Sequence, residues 1–304
     1  MGRVLIYSAT RSRIGEILRQ TLCVAGAGLC LGIAAVSAQT IQKSFPTSAN
    51  PSFLLHNHTG KISIEGWDQN AIEIKGEPAS DAMEVIILGG EQKVSVQVHP
   101  KREQFTSKEA RLDFEIRVPR QAAVRIDSER GEIVVRNLEG SLAIEGVSTE
   151  VALSQLKGHI TVRTVDGPIE IQSAEGSINA DSISGDLRFV QVNGMELVAT
   201  TNSGTIRYEG DFGDGGTYVL NNYSSPIDIF ASAKASFDLT ARAVMGMIES
   251  SLSFRPTPLG NAFRHLSPNK YLQGRFNSGE STVRVTSYSG TIRVRGPRSE
   301  GQAQ

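Results

Sequence analysis

The sequence predicts an all-β fold: a parallel β-solenoid, or β-helix, of short repeated strands with about 18–21 residues per coil, preceded by an N-terminal signal helix. Three observations predict it: glycine recurs every nine residues, apolar residues alternate after each glycine, and charges of opposite sign recur every 18 residues. The glycines are Gly131, Gly140, Gly158, Gly167, Gly176, Gly185 and Gly194, with Thr149 in the one gap. A short fixed period is typical of stacked units that bury their apolar faces against their neighbours.

Each nine-residue unit carries three apolar columns, which we interpret as the buried face of a short strand. The first two columns hold Ile133/Val135, Leu142/Ile144, Val151/Leu153, Ile160/Val162, Ile169/Ile171, Ile178/Ala180 and Leu187/Phe189. The third holds Leu138, Val147, Leu156, Val165, Ala174, Ile183 and Val192. Phe189 and Tyr208 also fall at inward positions and are expected to lie in the core.

Charged residues indicate how many units form one coil. Two columns alternate in sign at a spacing of 18 residues: Glu139, Lys157, Glu175 and Glu145, Arg163, Asp181. Equivalent positions on successive coils would lie about 4.8 Å apart, where opposite charges attract. We therefore expect two units per coil.

Beyond Gly204 the spacing lengthens, because Gly204, Ser225 and Gly246 lie 21 residues apart and are expected to stack in that order. The pentapeptide SGTIR occurs twice, at 203–207 and at 289–293. We interpret it as a turn with the first half of a strand, in which Ile206 or Ile292 points inward and the following arginine points to water.

The first 38 residues are expected to be a cleaved signal peptide. A basic leader precedes the apolar run 21–36, which is short for a membrane span, and the small residues Val36-Ser37-Ala38 suit signal peptidase. Retention as an anchor helix is the alternative. Both cysteines, Cys23 and Cys30, lie in this segment, so the mature chain is expected to have no disulfide or thiol chemistry.

The rest of the chain is expected to divide as follows. Residues 39–51 form a linker, and residues 52–296 form the solenoid domain, with an N-terminal β cap at 52–120 and the repeat stack at 121–296. Three prolines between 256 and 270 predict a loop thrown out from the stack, and 297–304 is a polar tail.

Charge gives no reason to expect nucleic acid as a partner. The net charge of −1 becomes about −4 without residues 1–38, because four arginines and one glutamate leave with them. Nucleic-acid binding favours a basic face. After Val36 no second apolar run predicts a membrane span.

Several polar residues were weighed as metal ligands. His56 and His58 lie two apart and could share a strand face, but a lone pair of this kind is usually surface. Asp211 and Asp214 stand in a glycine-rich loop that could hold calcium, but the loop lacks an EF-hand or nonapeptide calcium pattern. We assign no metal-binding, cofactor-binding or catalytic residue, and expect no cofactor.

Two further patterns bear on chemistry. Glu132, Glu150 and Asp186 share one column of the 18-residue register, which we interpret as exposed acids screened by water and salt. Outward strand positions hold Val134, Ala143, Ala152, Thr161, Glu170, Asn179 and Arg188. This row lacks the paired carboxylates of glycoside hydrolysis, and the chain lacks a Gly-x-Ser-x-Gly nucleophile elbow, so we expect no enzyme.

Five segments together resemble the bacterial putative adhesin family, exported domains of unknown function with a β-solenoid similar to adhesin heads. These segments are NHTGKISIEGWD at 57–68, FEIRVPRQAAVRIDSERGEIVV at 114–135, the glycine-paced repeats, FDLTARAVMGMIES at 237–250 and TSYSGTIRVRG at 286–296. The resemblance covers about residues 52–296. It implies an exported β-solenoid of the periplasm, cell envelope or cell surface, and supplies no catalytic residue.

Three hypotheses for function remain open at this point. The first is a non-catalytic, adhesin-like protein that binds or organises envelope or surface components, with a surface glycan or an envelope protein as partner. The second is an envelope scaffold that assembles end to end through the rung TIRVRG at 291–296. The third is a β-helix enzyme that acts on polysaccharide through loops such as 209–216.

Overall fold

The structure is a computed structural model that describes residues 40–256, 267 and 269–297. These residues form 20 strands in one continuous hydrogen-bonded sheet, and no helix occurs among them, which confirms the all-β prediction. The predicted signal peptide and signal helix (1–38) lie outside the described residues, as do most of the predicted 256–270 loop and of the 297–304 tail. Within the described part of the chain, no helix is available to cross a membrane.

The N-terminal part mixes antiparallel with parallel pairs. Its strands are β1 (Ile41–Pro46), β2 (Ser52–Trp67), β3 (Ala71–Pro78), β4 (Met83–Gly89), β5 (Lys93–Pro100) and β6 (Leu112–Pro119). The antiparallel pairs are β1 with β3, β3 with β6 and β4 with β5. β2 is parallel to its neighbours β5, β6 and β7 (Ala123–Leu138).

Part of the segment 39–51, expected to be a linker, is a strand. β1 pairs along its full length with β3, from Ile41 beside Gly76 to Pro46 beside Ala71. Ile41 is buried and Phe45 packs against the core. The physical reason is the alternation of apolar and polar residues in the run IQKSF, the pattern of a half-buried strand.

The next strands stack in parallel with a constant offset. They are β8 (Leu142–Asp166), β9 (Ile169–Ser182), β10 (Leu187–Val190), β11 (Glu196–Thr201) and β12 (Ile206–Gly210). Val124 lies beside Leu142, Val151 beside Ile169, and Ile169 beside Leu187, each an offset of 18 residues. The first half of β9 pairs with β10 and its second half with β11. One coil therefore contains two nine-residue units, as predicted.

Ion pairs across this register confirm the charge columns. Lys157 Nζ lies 3.2 Å from a Glu175 carboxylate oxygen, and Arg163 Nε lies 3.7 Å from an Asp181 carboxylate oxygen. Both pairs are exposed, so each contributes about 0.2–1 kcal/mol at most. Their value is in favouring one register over others.

The C-terminal strands are not stacked in chain order. They are β13 (Thr217–Asn222), β14 (Ile227–Ala231), β15 (Phe237–Ala243), β16 (Ile248–Ser250), β17 (Arg255–Pro256), β18 (Tyr271–Phe276), β19 (Ser281–Ser287) and β20 (Ile292–Arg295). β19 lies between β13 and β15, and β20 lies between β14 and β16. The last coil is thus inserted between two coils that precede it in sequence.

This insertion corrects the expected stacking of Gly204, Ser225 and Gly246. Glu196 pairs with Thr217 and Ile206 with Ile227, so the first 21-residue step is present. The second step is wrong: a Cβ added to Gly290 would meet the Ser225 carbonyl, and one added to Gly246 would meet the Gly290 carbonyl. The second SGTIR segment occupies the place that the 21-residue spacing gave to Gly246.

Apolar side chains form one core cluster that extends from Ile41 to Val294. The first two apolar columns of the repeat are buried at every position, and so are Phe189, Tyr208, Ile206 and Ile292, as predicted. Toward the C-terminal end the core becomes aromatic, with Phe212, Tyr218 and Phe237 joining Tyr208. The core thus holds every coil to its neighbours along the stack.

Candidate binding surface

Two kinds of corner connect the strands of a coil. At one, residues such as Ser173 and Gly176 bend β9 in the left-handed region of backbone space, with φ of 53° and 114°. At the other, a four-residue turn such as 183–186 leads into the next coil. We call the row of these turns the turn edge; in stack order it comprises 58–61, 129–132, 147–150, 165–168, 183–186, 202–205, 223–226, 288–291 and 244–247.

The turns along this edge are closed by a buried polar side chain at the end of the preceding strand. Ser182 Oγ accepts a hydrogen bond of 2.9 Å from the Gly185 amide, and Thr201 Oγ1 accepts one of 3.2 Å from the Gly204 amide. Asn222 and Ser287 do the same three residues before Ser225 and Gly290. Short polar side chains that bond to the backbone in this way favour turns. SGTIR is therefore part of the scaffold.

The third apolar column divides between the two corners, which the sequence did not indicate. Leu138, Leu156, Ala174 and Val192 are buried at the bend corner, as expected. Val147, Val165 and Ile183 occupy the first position of their turns and are 49%, 44% and 55% exposed. The expectation that the whole column is buried is wrong, because every second unit ends in a turn whose tip leaves the core.

These exposed side chains continue toward the C-terminal end of the edge as a row. The ring of Tyr223 stacks on the ring of Tyr288 with centroids 4.7 Å apart and planes 5° from parallel. Exposure of the larger apolar residues here ranges from 42% to 67%; they are Tyr223, Tyr288, Val244, Met245 and Met247. A contiguous apolar row on a soluble surface usually marks an interaction site. Sequence periodicity missed it because Tyr223 and Tyr288 are brought together only by the inserted coil.

The N-terminal end of the same edge is charged. His58 Nδ1 lies 3.0 Å from a Glu129 carboxylate oxygen, and its ring makes an edge contact with the ring of His56, with centroids 5.6 Å apart. The next positions carry Arg130 and Glu132. The two histidines thus share a surface, but their neighbour is a single glutamate in an ion pair.

The acidic column of Glu132, Glu150 and Asp186 is partly compensated. Glu132 and Glu150 lie directly beside each other in the register, and Lys61 Nζ lies 2.9 Å from Glu132. Asp186 accepts a 2.6 Å hydrogen bond from the Thr205 amide. A basic neighbour and a backbone donor therefore supplement the screening that we expected from water.

The glycine-rich loop around Asp211 and Asp214 is held by hydrogen bonds. The Asp211 carboxylate accepts a bond from the Ser232 hydroxyl, and the Asp211 carbonyl lies 2.5 Å from the Tyr208 hydroxyl. Among residues 40–256, 267 and 269–297, no three His, Cys, Asp or Glu side chains are placed to hold a metal ion together.

Outward charges on the first strands of the coils form a second row. In stack order it holds Glu170, Arg188, Arg207, Asp228, Arg293 and Glu249. Arg188 pairs with Glu170 at 3.2 Å, and Arg293 pairs with Asp228 at 3.4 Å. Because opposite charges directly across parallel strands stabilise their pairing, we assign this row to the stability of the stack.

The arginine of the first SGTIR segment departs from expectation. Arg207 was expected to point to water, but it is half-buried, with its guanidinium 4.9 Å from the centroid of the Phe230 ring. It also makes an ion-pair contact with Glu209, without hydrogen-bond geometry. Glu209 thereby relieves the like charges of Arg188 and Arg207 on adjacent strands.

The largest groove lies over the N-terminal strands and measures about 810 Å³. Several of its charges pair with one another: Lys75 with Glu77 at 3.0 Å and with Glu115 at 3.3 Å, and Arg117 with Glu73 at 3.8 Å. These pairs neutralise one another across the strands. The groove lining does not include the apolar row of the turn edge.

Two buried tyrosines close the aromatic end of the core and predict an alkaline limit to stability. Burial raises the pKa of Tyr208 well above its ordinary value, and the nearby Tyr218 and Asp211 raise it further. The Tyr208 hydroxyl lies 2.8 Å from the Val192 carbonyl, so a phenolate would face carbonyl oxygens. Burial also raises the pKa of Tyr218.

We therefore expect the free energy of unfolding to be constant with respect to these groups below about pH 10 and to fall above it. The sign follows because the folded state keeps protons that the unfolded state releases. Urea unfolding at several pH values between about 9 and 11 measures this. Tyr208→Phe should be less stable at neutral pH by about 1 kcal/mol and should show a shallower alkaline decline. An unchanged decline would contradict the assignment; Tyr223→Phe is the exposed control.

Comparison with known proteins places the chain in a family. No curated protein matches the sequence significantly. Two solved structures are similar to it: a putative cell adhesion protein from Clostridium sporogenes (9% identity, 85% of this chain and 100% of that one, TM-score 0.28) and a putative adhesin from Bacteroides fragilis (12% identity, 86% and 98%, TM-score 0.39).

A family model, Toastrack DUF4097, matches residues 56–295, which is well over half of the chain. The match covers the strands from β2 to the end of β20, including the inserted coil and the turn edge. It confirms the resemblance found in the sequence. The chain belongs to the Toastrack DUF4097 family.

Proposed function

We propose that the protein is an exported, non-catalytic, adhesin-like β-solenoid that binds or organises components of the cell envelope or cell surface. The observation that carries this proposal is the turn edge, on which exposed apolar side chains form a row from Val147 to Met245. A folded protein in water loses free energy by leaving such a row uncovered, and covering it supplies binding energy of about 25 cal/mol per Å².

The location in the envelope rests on the leader sequence and on the fold. The basic leader and apolar run of residues 1–38 are typical of an export signal. A repeat stack offers an extended surface of fixed geometry, which suits a binding partner larger than a metabolite. Both features support an exposed role outside the cytoplasm.

End-to-end assembly, the alternative function, is disfavoured by the ends of the sheet. The rung TIRVRG does not form an open edge, because β20 is paired on both sides, with β14 and β16. At the N-terminal end, antiparallel strands β1 and β4 cover β3 and β5. Such strands interrupt the parallel template that a second copy would have to continue.

The proposal predicts that the mature chain, starting at Gln39, co-sediments with washed envelope fragments in high salt. Replacing both stacked rings, Tyr223→Ser with Tyr288→Ser, should weaken this retention at least about tenfold, because each ring contributes apolar area at the contact. Met195→Ser is the matched control: Met195 is 79% exposed but lies outside the turn edge. Circular dichroism melting checks that both variants remain folded.

If the double variant is retained as well as the wild type, binding does not use the turn edge. If the wild-type chain itself stays in the supernatant, the proposed function is wrong.

A further inference from the structure

The C-terminal third of the turn edge carries no charge. Its four turns read NSGT (202–205), YSSP (223–226), YSGT (288–291) and VMGM (244–247), in stack order. We call these four turns the turn patch. In a chain of which 21% is charged, sixteen neighbouring surface positions without an acid or a base are a specialised surface.

The turn patch is convex. Its side chains stand at the tips of turns, where the chain reverses from one coil to the next. Neither described groove contains any of its residues: one lies over the N-terminal strands, and the other lies at the bend corner around Asn137, Gln155 and Ser173. A convex apolar surface suits a deformable, nearly flat partner better than a ligand that needs a pocket.

Backbone carbonyls of the turn patch are already hydrogen-bonded by its own serines. Ser224 Oγ donates to the Asn202 carbonyl at 3.2 Å, Ser225 Oγ to the Ser203 carbonyl at 2.6 Å, and Ser289 Oγ to the Tyr223 carbonyl at 3.1 Å. Removing an unpaired carbonyl from water costs several kcal/mol in hydrocarbon, and this pairing avoids much of that cost. The turn patch can therefore leave water cheaply.

The last turn of the patch is satisfied by a lysine. Lys270 Nζ donates a 2.7 Å hydrogen bond to the Met245 carbonyl and another to the Gly246 carbonyl. The ammonium is thereby held at the border of the patch while Met245 projects outward with 67% of its surface exposed. A cation at the border of an apolar surface is compatible with contact to lipid headgroups.

The exposed side chains have the composition of a membrane interface. Tyrosine combines an apolar ring with a polar hydroxyl, and it is enriched where hydrocarbon meets headgroups. Tyr223 and Tyr288 present their rings side by side, and Val244, Met245 and Met247 extend the apolar area. Acids return only toward the N-terminal end of the edge, at Asp166 and Asp186, which would keep that end in water.

We infer that the turn patch docks on the surface of a lipid bilayer, inserting its tyrosines and methionines among the headgroups. This inference rests on the proposed function and names the envelope component that is bound. Because the patch is uncharged, binding depends on buried apolar area; it neither requires anionic lipid nor weakens in salt. The solenoid then lies with one edge on the membrane and its other faces in water.

Flotation with vesicles of zwitterionic phosphatidylcholine tests this inference on the mature chain. We expect the protein to float with the vesicles at low and at high salt. Met245→Asp with Tyr288→Asp should lower the floated fraction at least tenfold, because two charges would have to enter the interface. Met195→Asp, which places the same charge on an exposed methionine elsewhere, should float like the wild type.

Tyrosine fluorescence gives a second readout that does not depend on flotation. Vesicles carrying a brominated acyl chain should quench the emission of the wild-type protein more than that of Tyr223→Phe with Tyr288→Phe.

The outcomes separate this inference from the function on which it rests. Retention on envelope fragments without flotation on lipid would overturn the inference and leave the proposed function standing, with an envelope protein or glycan as partner. Equal loss in Met195→Asp would also overturn it, since binding would not be confined to the turn patch. Failure of both assays would overturn the function itself.

Discussion

Gly176→Ala is expected to destabilise the protein by at least about 3 kcal/mol. A Cβ at this position would lie in hard contact with the carbonyl of Gly158 on the preceding coil. Gly176 also has a φ of 114°, a conformation that alanine rarely adopts. Neither problem can be relieved by a side-chain movement, because the obstructing atoms belong to backbone that is itself stacked on Gly140. Urea unfolding followed by circular dichroism measures the loss.

Gly90→Ala is the matched control for this substitution. Gly90 lies between β4 and β5, and its nearest heavy atom, the Lys93 carbonyl oxygen, is 3.7 Å from the added Cβ. We expect a change within about 0.5 kcal/mol. Similar small effects at both glycines would show that the coils are less tightly stacked than described.

Phe237→Ala should cost about 3–5 kcal/mol, the usual range for truncating a buried phenylalanine. Phe237 begins β15 and is fully buried, with ring centroids of Phe212 at 4.7 Å, Phe276 at 5.5 Å and Phe254 at 5.9 Å. These neighbours come from different parts of the chain, so they cannot all collapse into the space left by the ring. The midpoint of urea unfolding gives the measurement.

Phe105→Ala serves as the control, because Phe105 is 37% exposed and its ring contacts only that of His58, 6.2 Å away, among the described aromatic rings. Its expected cost is below about 1 kcal/mol. If Phe237→Ala cost no more than Phe105→Ala, the aromatic end of the core would contribute little to stability.

The repeat architecture could be predicted from the sequence because its causes are local. Strand alternation, turn glycines and the sign of charges at 18-residue spacing all act within one or two coils, and the register of Lys157 with Glu175 follows them. The strand at 41–46 was missed since six residues give a weak periodic signal. Export, location and partner are not tested by the fold and stay predictions.

The binding surface could not be predicted because it depends on contacts distant in sequence. Val165 and Leu156 look alike in the repeat, yet only the turn that follows Val165 carries it out of the core. Tyr223 and Tyr288 meet through a strand pairing with an offset of 65 residues, which no period in the sequence announces. The identical pentapeptides were the available signal, since they mark two equivalent coils.

The inserted coil has a consequence for the time order of biosynthesis. β15 and β16 reach the rest of the stack through β19 and β20, which are made after them. A chain that emerges N-terminus first can stack its coils as they appear up to β14, but it must then wait for the final strands before β15 and β16 can dock. The molecule thus registers its own completion: a chain cut short before Ser281 leaves β13 and β14 with unpaired edges, ready targets for proteases and chaperones.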